Sequence, residues 1–382
     1  FRGDRARGSR ELIAMEDRPI GSVLVMGAGV AGIRAALELA ENGYRVLLTD
    51  SSPHIGGILT KLDFQFPSDH CGMCKMLPTV GREYASQYCM RKHLFHDNIE
   101  IMPFTKVKAI RGEPGAFTVD LLRGAHFVDT DICMGTGHCT DVCPVEVPDE
   151  FNERLTNRKA IYRPVPHNLP NMFVIDAQVC TRCGACVEVC PVDAIDLDAK
   201  DESQEVTVDA VVLAAGTDLC DPADREEMGA YRASVDVVTA LQFERLLSSS
   251  GCFAGEIRRP SDNRRVRRIG WVQCVGSRDR RHGRDYCSSI CCMFALKQAV
   301  MAHKKGGPDV ETTIFYTDMR TFEKDFYRYR EYAEEEHGVR LVRCRVQGVD
   351  RMADGTLSIR YFDPKSGEFE LGEFDLLVLS TG

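Results

Sequence analysis

The run Cys180-Thr-Arg-Cys183-Gly-Ala-Cys186-Val-Glu-Val-Cys190-Pro191 constrains this chain more than any other feature. Three cysteines spaced by two residues and a fourth after three more, followed by proline, form the bacterial ferredoxin spacing for a [4Fe–4S] cluster. Thiolates at that spacing wrap a tight loop around one cubane face, and the proline turns the chain away. A zinc site usually shows two separated CxxC pairs, so zinc is the lesser reading. The chain handles electrons one at a time.

An imperfect copy lies upstream: Cys133-Met-Gly-Thr136-Gly-His-Cys139-Thr-Asp-Val-Cys143-Pro144. It aligns residue for residue, except that Thr136 stands where the second cysteine belongs. In two-cluster ferredoxins the fourth cysteine of each run ligates the other cluster. Cys143, Cys180, Cys183 and Cys186 are thus expected to complete one [4Fe–4S] site, leaving Cys133, Cys139 and Cys190 as three thiolates. That second site could hold a [3Fe–4S] cluster, a four-iron cluster with an oxygen, water or His138 as odd ligand, or nothing. Fewer thiolates raise the potential, so the two sites are expected to differ.

Composition bounds the rest. The 382 residues allow two to three domains, and 44% apolar content supplies real cores. A net charge of −9 argues against nucleic acid as the main partner, and the basic clusters Arg258–Arg268 and Arg278–Arg284 read as solvated faces. Seventeen cysteines without a signal peptide or a membrane-spanning apolar run point to a reducing cytoplasm, with thiolates serving clusters rather than disulfides. Met15 could be a natural start after a disordered lead at 1–14. The end at Leu376–Gly382, a buried strand entering a glycine turn, reads as a piece of a longer protein.

A nucleotide fingerprint opens the ordered part. Val23–Met26 reads as a buried parallel strand, Gly27-Ala28-Gly29-Val30-Ala31-Gly32 follows at once, then a helix over Ile33–Asn42 and a strand over Arg45–Thr49. The glycines allow a tight turn and close pyrophosphate approach at a helix N-terminus, and Asp50 can accept a hydrogen bond from the adenosine ribose. Gly56-Gly57 resembles the second glycine signature of two-dinucleotide-binding flavoproteins, and Val208–Ala214 with Ala215 and Gly216 resembles their strand-plus-glycine motif. Together they favour FAD over NAD.

Arg268-Ile269-Gly270-Trp271-Val272-Gln273 reads as the first strand of another α/β domain. Where a flavin–pyridine nucleotide reductase would show GxGxxG, the chain gives Cys274-Val-Gly-Ser-Arg-Asp, then Cys287-Ser-Ser-Ile-Cys291-Cys292 opening a helix over Met293–Lys304. Four cysteines there converge at the crevice that normally holds a ligand. They read as cluster ligands that displace NAD(P)H, the alternative being buried structural thiols. Cys71-x2-Cys74 with Cys89 could form a further cluster, with His70, His93 or a partner chain as fourth ligand, or could be structural thiols. Cys220, Cys252 and Cys344 are isolated and read as core cysteines.

These residues resemble the HdrA family, the flavin and iron–sulfur subunits of heterodisulfide reductase and its bacterial relatives. The most specific pieces are Gln273–Asp279 with Cys287-x3-Cys291-Cys292-Met293, Arg158–Tyr162 between the ferredoxin halves, and Asp69–Cys74 after Phe66-Pro67. The resemblance implies an α/β thioredoxin-reductase-like FAD core with an inserted α+β two-cluster ferredoxin, and an atypical cluster on Cys274, Cys287, Cys291 and Cys292. It also implies a homodimer within a larger complex, electron exchange with partner subunits, ferredoxin, hydrogenase or dehydrogenase, and bifurcation at the flavin in several members. The expected layout is a first FAD part over 15–128, the ferredoxin over 129–200, FAD continued over 201–265 and the cysteine-bearing α/β domain over 266–382. No Ser–His–Asp or paired-carboxylate arrangement stands out. Two rivals are an NAD(P)H-dependent iron–sulfur flavoenzyme of the glutamate synthase small-subunit type, and a flavin-less electron-wire scaffold.

Overall fold

The computed structural model describes residues 20–65, 70–71, 96–166, 173–224, 229–346, 348–363 and 366–381. The chain divides into two compact units, the first built from 1–55, 91–125 and 199–215, the second from 56–90, 126–198 and 216–382.

In the first unit, β1 (Ser22–Met26), α1 (Val30–Glu41) and β2 (Arg45–Thr49) form the expected βαβ unit. β1 and β2 are apolar between their polar ends, Ser22, Arg45 and Thr49, because neighbours pair on both edges, the mark of central parallel strands. β3 (Ile99–Met102) extends the sheet beyond β2, while a two-stranded antiparallel ladder, β4 (Thr105–Glu113) and β5 (Ala116–Arg123), is joined by β6 (Glu202–Val208). β7 (Ala210–Leu213) then pairs with β1, giving the parallel order β7-β1-β2-β3. The strand of the strand-plus-glycine motif is thus Ala210–Leu213, with Val208 ending a strand of the other sheet. Asp209 makes the break: its Oδ2 accepts from Ser22 N at 2.6 Å and Ser22 Oγ at 2.9 Å, which fixes the corner. Leu24, Leu47, Val119, Leu121 and Val208 bury the two sheets against each other.

The second unit holds the ferredoxin segment and a five-stranded parallel sheet. The ferredoxin copies each make one short helix, α2 (His138–Asp141) and α3 (Ala185–Glu188), entered through left-handed Gly137 and Gly184. The parallel sheet is built from β8 (Val237–Thr239), β9 (Arg268–Val275), β10 (Glu311–Tyr316), β11 (Arg340–Arg343) and β14 (Leu376–Thr381), in the order β8-β14-β9-β10-β11. β12 (Leu357–Asp363) and β13 (Glu368–Phe374) form an antiparallel hairpin beside it. β8 belongs to this sheet through its pairing with β14, whereas the sequence reading carries its stretch with the flavin part.

α4 (Ala240–Leu247) and α5 (Cys291–Gly306) cover the parallel sheet, and α6 (Lys324–Glu335) packs beside α5. α4 starts with a capping box, Thr239 Oγ1 accepting from Gln242 N at 3.1 Å while Gln242 Oε1 accepts from Thr239 N at 2.8 Å. Trp271, Phe243 and Leu296 form the dry centre, with the Phe243 and Trp271 rings edge to face at 5.4 Å. A charged pair lies inside it: Glu244 receives Lys297 Nζ, Gln298 Nε2 at 2.8 Å and Asp63 N at 3.0 Å. Trp271 Nε1 completes the network by donating to Gln298 Oε1 at 3.0 Å. With its acceptors filled, the carboxylate meets the condition for burying an ion pair.

The next residue along, Arg245, faces the ferredoxin segment. Its guanidinium stacks 4.1 Å from the Phe151 ring centre, donates to Asn152 Oδ1 at 3.1 Å and donates to Lys61 O at 2.9 Å. Lys61 also pairs with Glu153. The ferredoxin is therefore fastened to α4 by polar contacts rather than tethered by its two linkers alone.

Candidate functional site

The β1–α1 turn has the geometry of a pyrophosphate cradle. Gly27 is left-handed (φ 100°), and a Cβ there would lie 2.2 Å from Ala214 O. A Cβ on Gly32 would lie 1.7 Å from Gly27 O, so helix and turn touch backbone to backbone. Gly29 is different, since a Cβ there meets nothing within 4 Å. Two glycines serve the fold and the third leaves open space before the helix N-terminus, where amide N–H groups favour an anion. Asp50, at the end of β2, accepts from Ala28 N at 2.7 Å and Ser52 N at 2.8 Å. Its two carboxylate oxygens each keep a second acceptor site, so it can brace the turn and still take a ribose hydroxyl. These residues fit FAD. Ala215 and left-handed Gly216 follow β7, and Gly56 (φ 109°) and Gly57 open a single 3-10 turn in the second unit.

The ferredoxin cysteines fall into two cavities with the crossed membership that the spacing predicts. One is lined by Cys143, Cys180, Cys183 and Cys186, the other by Cys133, Thr136, Cys139 and Cys190 with His138. The two copies share backbone conformation: Gly135 and Arg182 are both left-handed (φ 70° and 54°), as are Gly137 and Gly184 (φ 88° and 81°). Arg182 reaches that region, unusual for a side-chain-bearing residue, while its N–H donates to Cys180 Sγ at 3.4 Å. Ala194 N donates to Cys190 Sγ at 3.3 Å. Such N–H···S bonds help set cluster potentials. Burial first and the neighbouring Cys133 second push the Cys139 thiol up to about 11, and burial first and Cys180 second raise Cys186. Bound iron must displace those protons. Among the described residues no three His, Cys, Asp or Glu side chains converge as ligands of one metal ion. A cubane binds each thiolate to a different iron, so its ligands surround a volume instead of a point, and these cavities fit a cluster better than zinc.

A third cysteine group sits at the carboxyl end of β9, beside the strands on either side of it. Cys274 takes a left-handed conformation (φ 63°) where the pairing of β9 with β14 slips between Val272 and Val275. Cys291 and Cys292 begin α5 and are buried; Cys287 is half-buried on the loop before them. The neighbouring Cys274 and Cys292 hold the Cys291 thiol low, while Cys291 and burial keep those two above the usual thiol range; Cys287 is close enough to add to the charge that Cys274 feels, and Cys292 Sγ donates to Asp318 O at 3.7 Å. Ser289 N donates to Cys287 Sγ at 3.3 Å and Ser289 is left-handed (φ 62°), repeating the Cys180–Arg182 arrangement. Ser277 Oγ and Arg278 Nη1 are buried with no partner among the described residues, two unsatisfied donors close in sequence to Cys274. Arg278 itself is anchored by Asp318 at 2.7 Å.

The structure thus brings together Cys274, Cys287, Cys291 and Cys292, and both ferredoxin sets. Cys74 and Cys89 lie outside the described residues, as does the side chain of Cys71. Spacing alone misses Cys344 and Cys220. Cys344 is half-buried on the wall of a cavity of about 510 Å³ that also includes Cys274, and Cys220 accepts from Arg284 Nη1 at 2.7 Å beside Gly276. Both approach through contacts distant in sequence, which no local pattern carries.

The fold and these sites define a two-dinucleotide-binding flavoprotein of the FAD and iron–sulfur class, with an inserted ferredoxin. Residues 22–69 match the FAD dependent oxidoreductase family and residues 132–195 the 4Fe-4S dicluster domain. FAD and [4Fe–4S] clusters are its cofactors. The chain is 42% identical over 360 residues to an A-type iron-sulfur subunit of the CoB--CoM heterodisulfide reductase of Methanopyrus kandleri, covering 94% of this chain and 53% of that protein. It is 36% identical over 362 residues to the A-type subunit of the H(2):CoB-CoM heterodisulfide,ferredoxin reductase of Methanothermobacter marburgensis, again with 94% and 53% covered. The chain belongs to the HdrA family of heterodisulfide reductase subunits and spans about half the length of the curated relatives it matches. Thioredoxin reductase from Lactococcus lactis aligns with 94% of this chain and 76% of its own, at 13% identity and a TM-score of 0.44. No described helix is long and apolar enough to cross a membrane.

Proposed function

We propose that this chain is the electron-distributing, oxidoreductase part of a heterodisulfide-reductase-like complex of the cytoplasm. FAD, when bound, exchanges electrons in pairs on one side and singly on the other. The turn over Gly27–Gly32 and Asp50 would hold its pyrophosphate and ribose. Cys143, Cys180, Cys183 and Cys186 would hold a [4Fe–4S] cluster, and Cys274, Cys287, Cys291 and Cys292 another. The protein's task is then to fix these groups in a dry, ordered setting and to set their potentials through N–H···S bonds and buried donors. Electron bifurcation and exchange with other subunits, with a ferredoxin or with a hydrogenase belong to this same reading.

The observation that carries it is the crossed cysteine membership of the two ferredoxin cavities, in the same compact unit as the Cys274 group. The site at β9 also speaks against direct reduction by NAD(P)H. A nucleotide needs a glycine turn leading straight into a helix, but here the loop Gly276–Ile290 intervenes and cysteines occupy the helix start.

Anaerobic iron and flavin counting with EPR tests the proposal. One FAD and at least two clusters per chain are expected, and fewer than about six irons would overturn the cluster assignments. NADH and NADPH are expected to leave the flavin absorbance unbleached in the isolated protein; rapid bleaching would favour the pyridine nucleotide-dependent flavoenzyme instead.

A further inference from the structure

The two ferredoxin cavities differ at one corner. In the complete set Cys183 is the exposed ligand, while Cys143 and Cys180 are half-buried and Cys186 is buried. Thr136 takes the place of Cys183 in the other set and is likewise exposed, whereas Cys133, Cys139 and Cys190 are half-buried. The substitution therefore falls on the one corner that faces solvent. A neutral hydroxyl is a far weaker iron ligand than a thiolate, so this corner is left without a strong protein ligand.

The loop carrying Thr136 is also held in place without it. Arg163 Nη2 donates to Gly135 O at 3.2 Å, and the Arg163 guanidinium stacks 5.1 Å from the ring centre of Phe173, itself part of the cavity wall. Left-handed Gly135 and Gly137 flank Thr136 as Arg182 and Gly184 flank Cys183. The backbone thus keeps the shape of a four-cornered site while the side chains supply three thiolates.

We propose that the Thr136 corner is an open iron site: Cys133, Cys139 and Cys190 hold a three-iron core that binds and releases a fourth, ferrous iron. This rests on reading the segment as a two-cluster ferredoxin. The balance is simple. A [3Fe–4S]⁺ core takes one electron, from the neighbouring four-iron cluster or an added reductant, to become [3Fe–4S]⁰. That core then binds Fe²⁺ to give [4Fe–4S]²⁺, with no further electron transferred. Because nuclearity and ligand number both change the potential, available ferrous iron would decide whether this cluster joins the relay.

The test uses the whole chain, purified anaerobically. Ferricyanide with a chelator should produce the EPR signal of an oxidised three-iron cluster; after dithionite with ferrous ammonium sulfate, gel filtration and mild anaerobic reoxidation the signal should stay absent, whereas after dithionite with chelator alone it should return. Thr136→Cys should remove that signal and retain the fourth iron, lowering the site's midpoint potential. Thr136→Ala and His138→Ala should both behave as the parent protein does. The proposal is overturned if oxidation yields no three-iron signal, if Thr136→Cys leaves the signal intact, or if either alanine variant abolishes iron exchange, since that residue is then a ligand. The reduced four-iron signal of the Cys143 set is the internal control. Its absence from the parent protein would overturn the ferredoxin reading itself, and this inference with it.

Discussion

The two parallel sheets pose the same problem and solve it with opposite turns. In the first unit, β1 passes into α1 through Gly27–Gly29, and close backbone packing leaves an uncovered helix N-terminus. In the second, β9 leaves the sheet through a left-handed Cys274 and reaches α5 only after Gly276–Ile290, with Cys291 and Cys292 occupying the helix start. Both sites lie at the carboxyl ends of parallel strands, where open α/β sheets bind ligands. Turn length and side-chain chemistry, not the sheet, separate a crevice shaped for a pyrophosphate from one lined by cysteines.

Three substitutions would break or sharpen that contrast. The largest effect is expected from Gly32→Ala, whose Cβ would meet Gly27 O at 1.7 Å with backbone on both sides. It should destabilise the first unit by about 2–4 kcal/mol and abolish flavin binding, read by chemical denaturation and flavin content. Iron content should hold; a parallel loss of iron would mean that the units are not independent. Cys274→Ser should come next, lowering iron by about four per chain while flavin content stays at the parent level. Unchanged iron would assign the β9 cysteines to structure rather than to a cluster. The smallest effect on the fold belongs to Gly29→Ala. Its φ of −79° suits any residue and its Cβ meets nothing, so stability should stay within about 0.5 kcal/mol. Flavin affinity should nonetheless fall, because the methyl enters the space left for phosphate. An unaltered flavin dissociation constant would show that the open space is not the binding site.

Much of this architecture was legible in the residues. β1, α1, β2, β9 and α5 follow from apolar runs bounded by glycines or cysteines, and ferredoxin spacing anticipates the crossed cavities because covalent spacing limits which thiolates can reach one cubane. What stayed hidden depends on distant partners. Asp209 looks like any strand residue until Ser22 turns it into a corner. Val237–Thr239 is too short to announce itself, and only its pairing with β14 reveals its sheet. Cys344 and Cys220 have no local cysteine neighbours, so nothing in their spacing foretells their approach to the β9 loop. The Glu244–Lys297 pair is equally silent, since charged residues on helices usually face water and only packing shows that these do not.

The interleaving of the two units has a consequence for how the protein is made. The first sheet has β1 at its interior, and β1 waits for β7; the Ser22–Asp209 bond that sets this corner spans 187 residues. Every ferredoxin cysteine lies between them and emerges first during synthesis. The nucleotide cradle, whose Gly27 rests on Ala214 O, therefore cannot close before the iron-binding insert has been made. Connections of such length are slow to form, and an unfinished parallel sheet exposes strand edges meanwhile. The ferredoxin cysteines are thus made before the cradle can close, and the cysteines at β9 and α5 only after it, so completion of the flavin fold falls between the two cysteine groups.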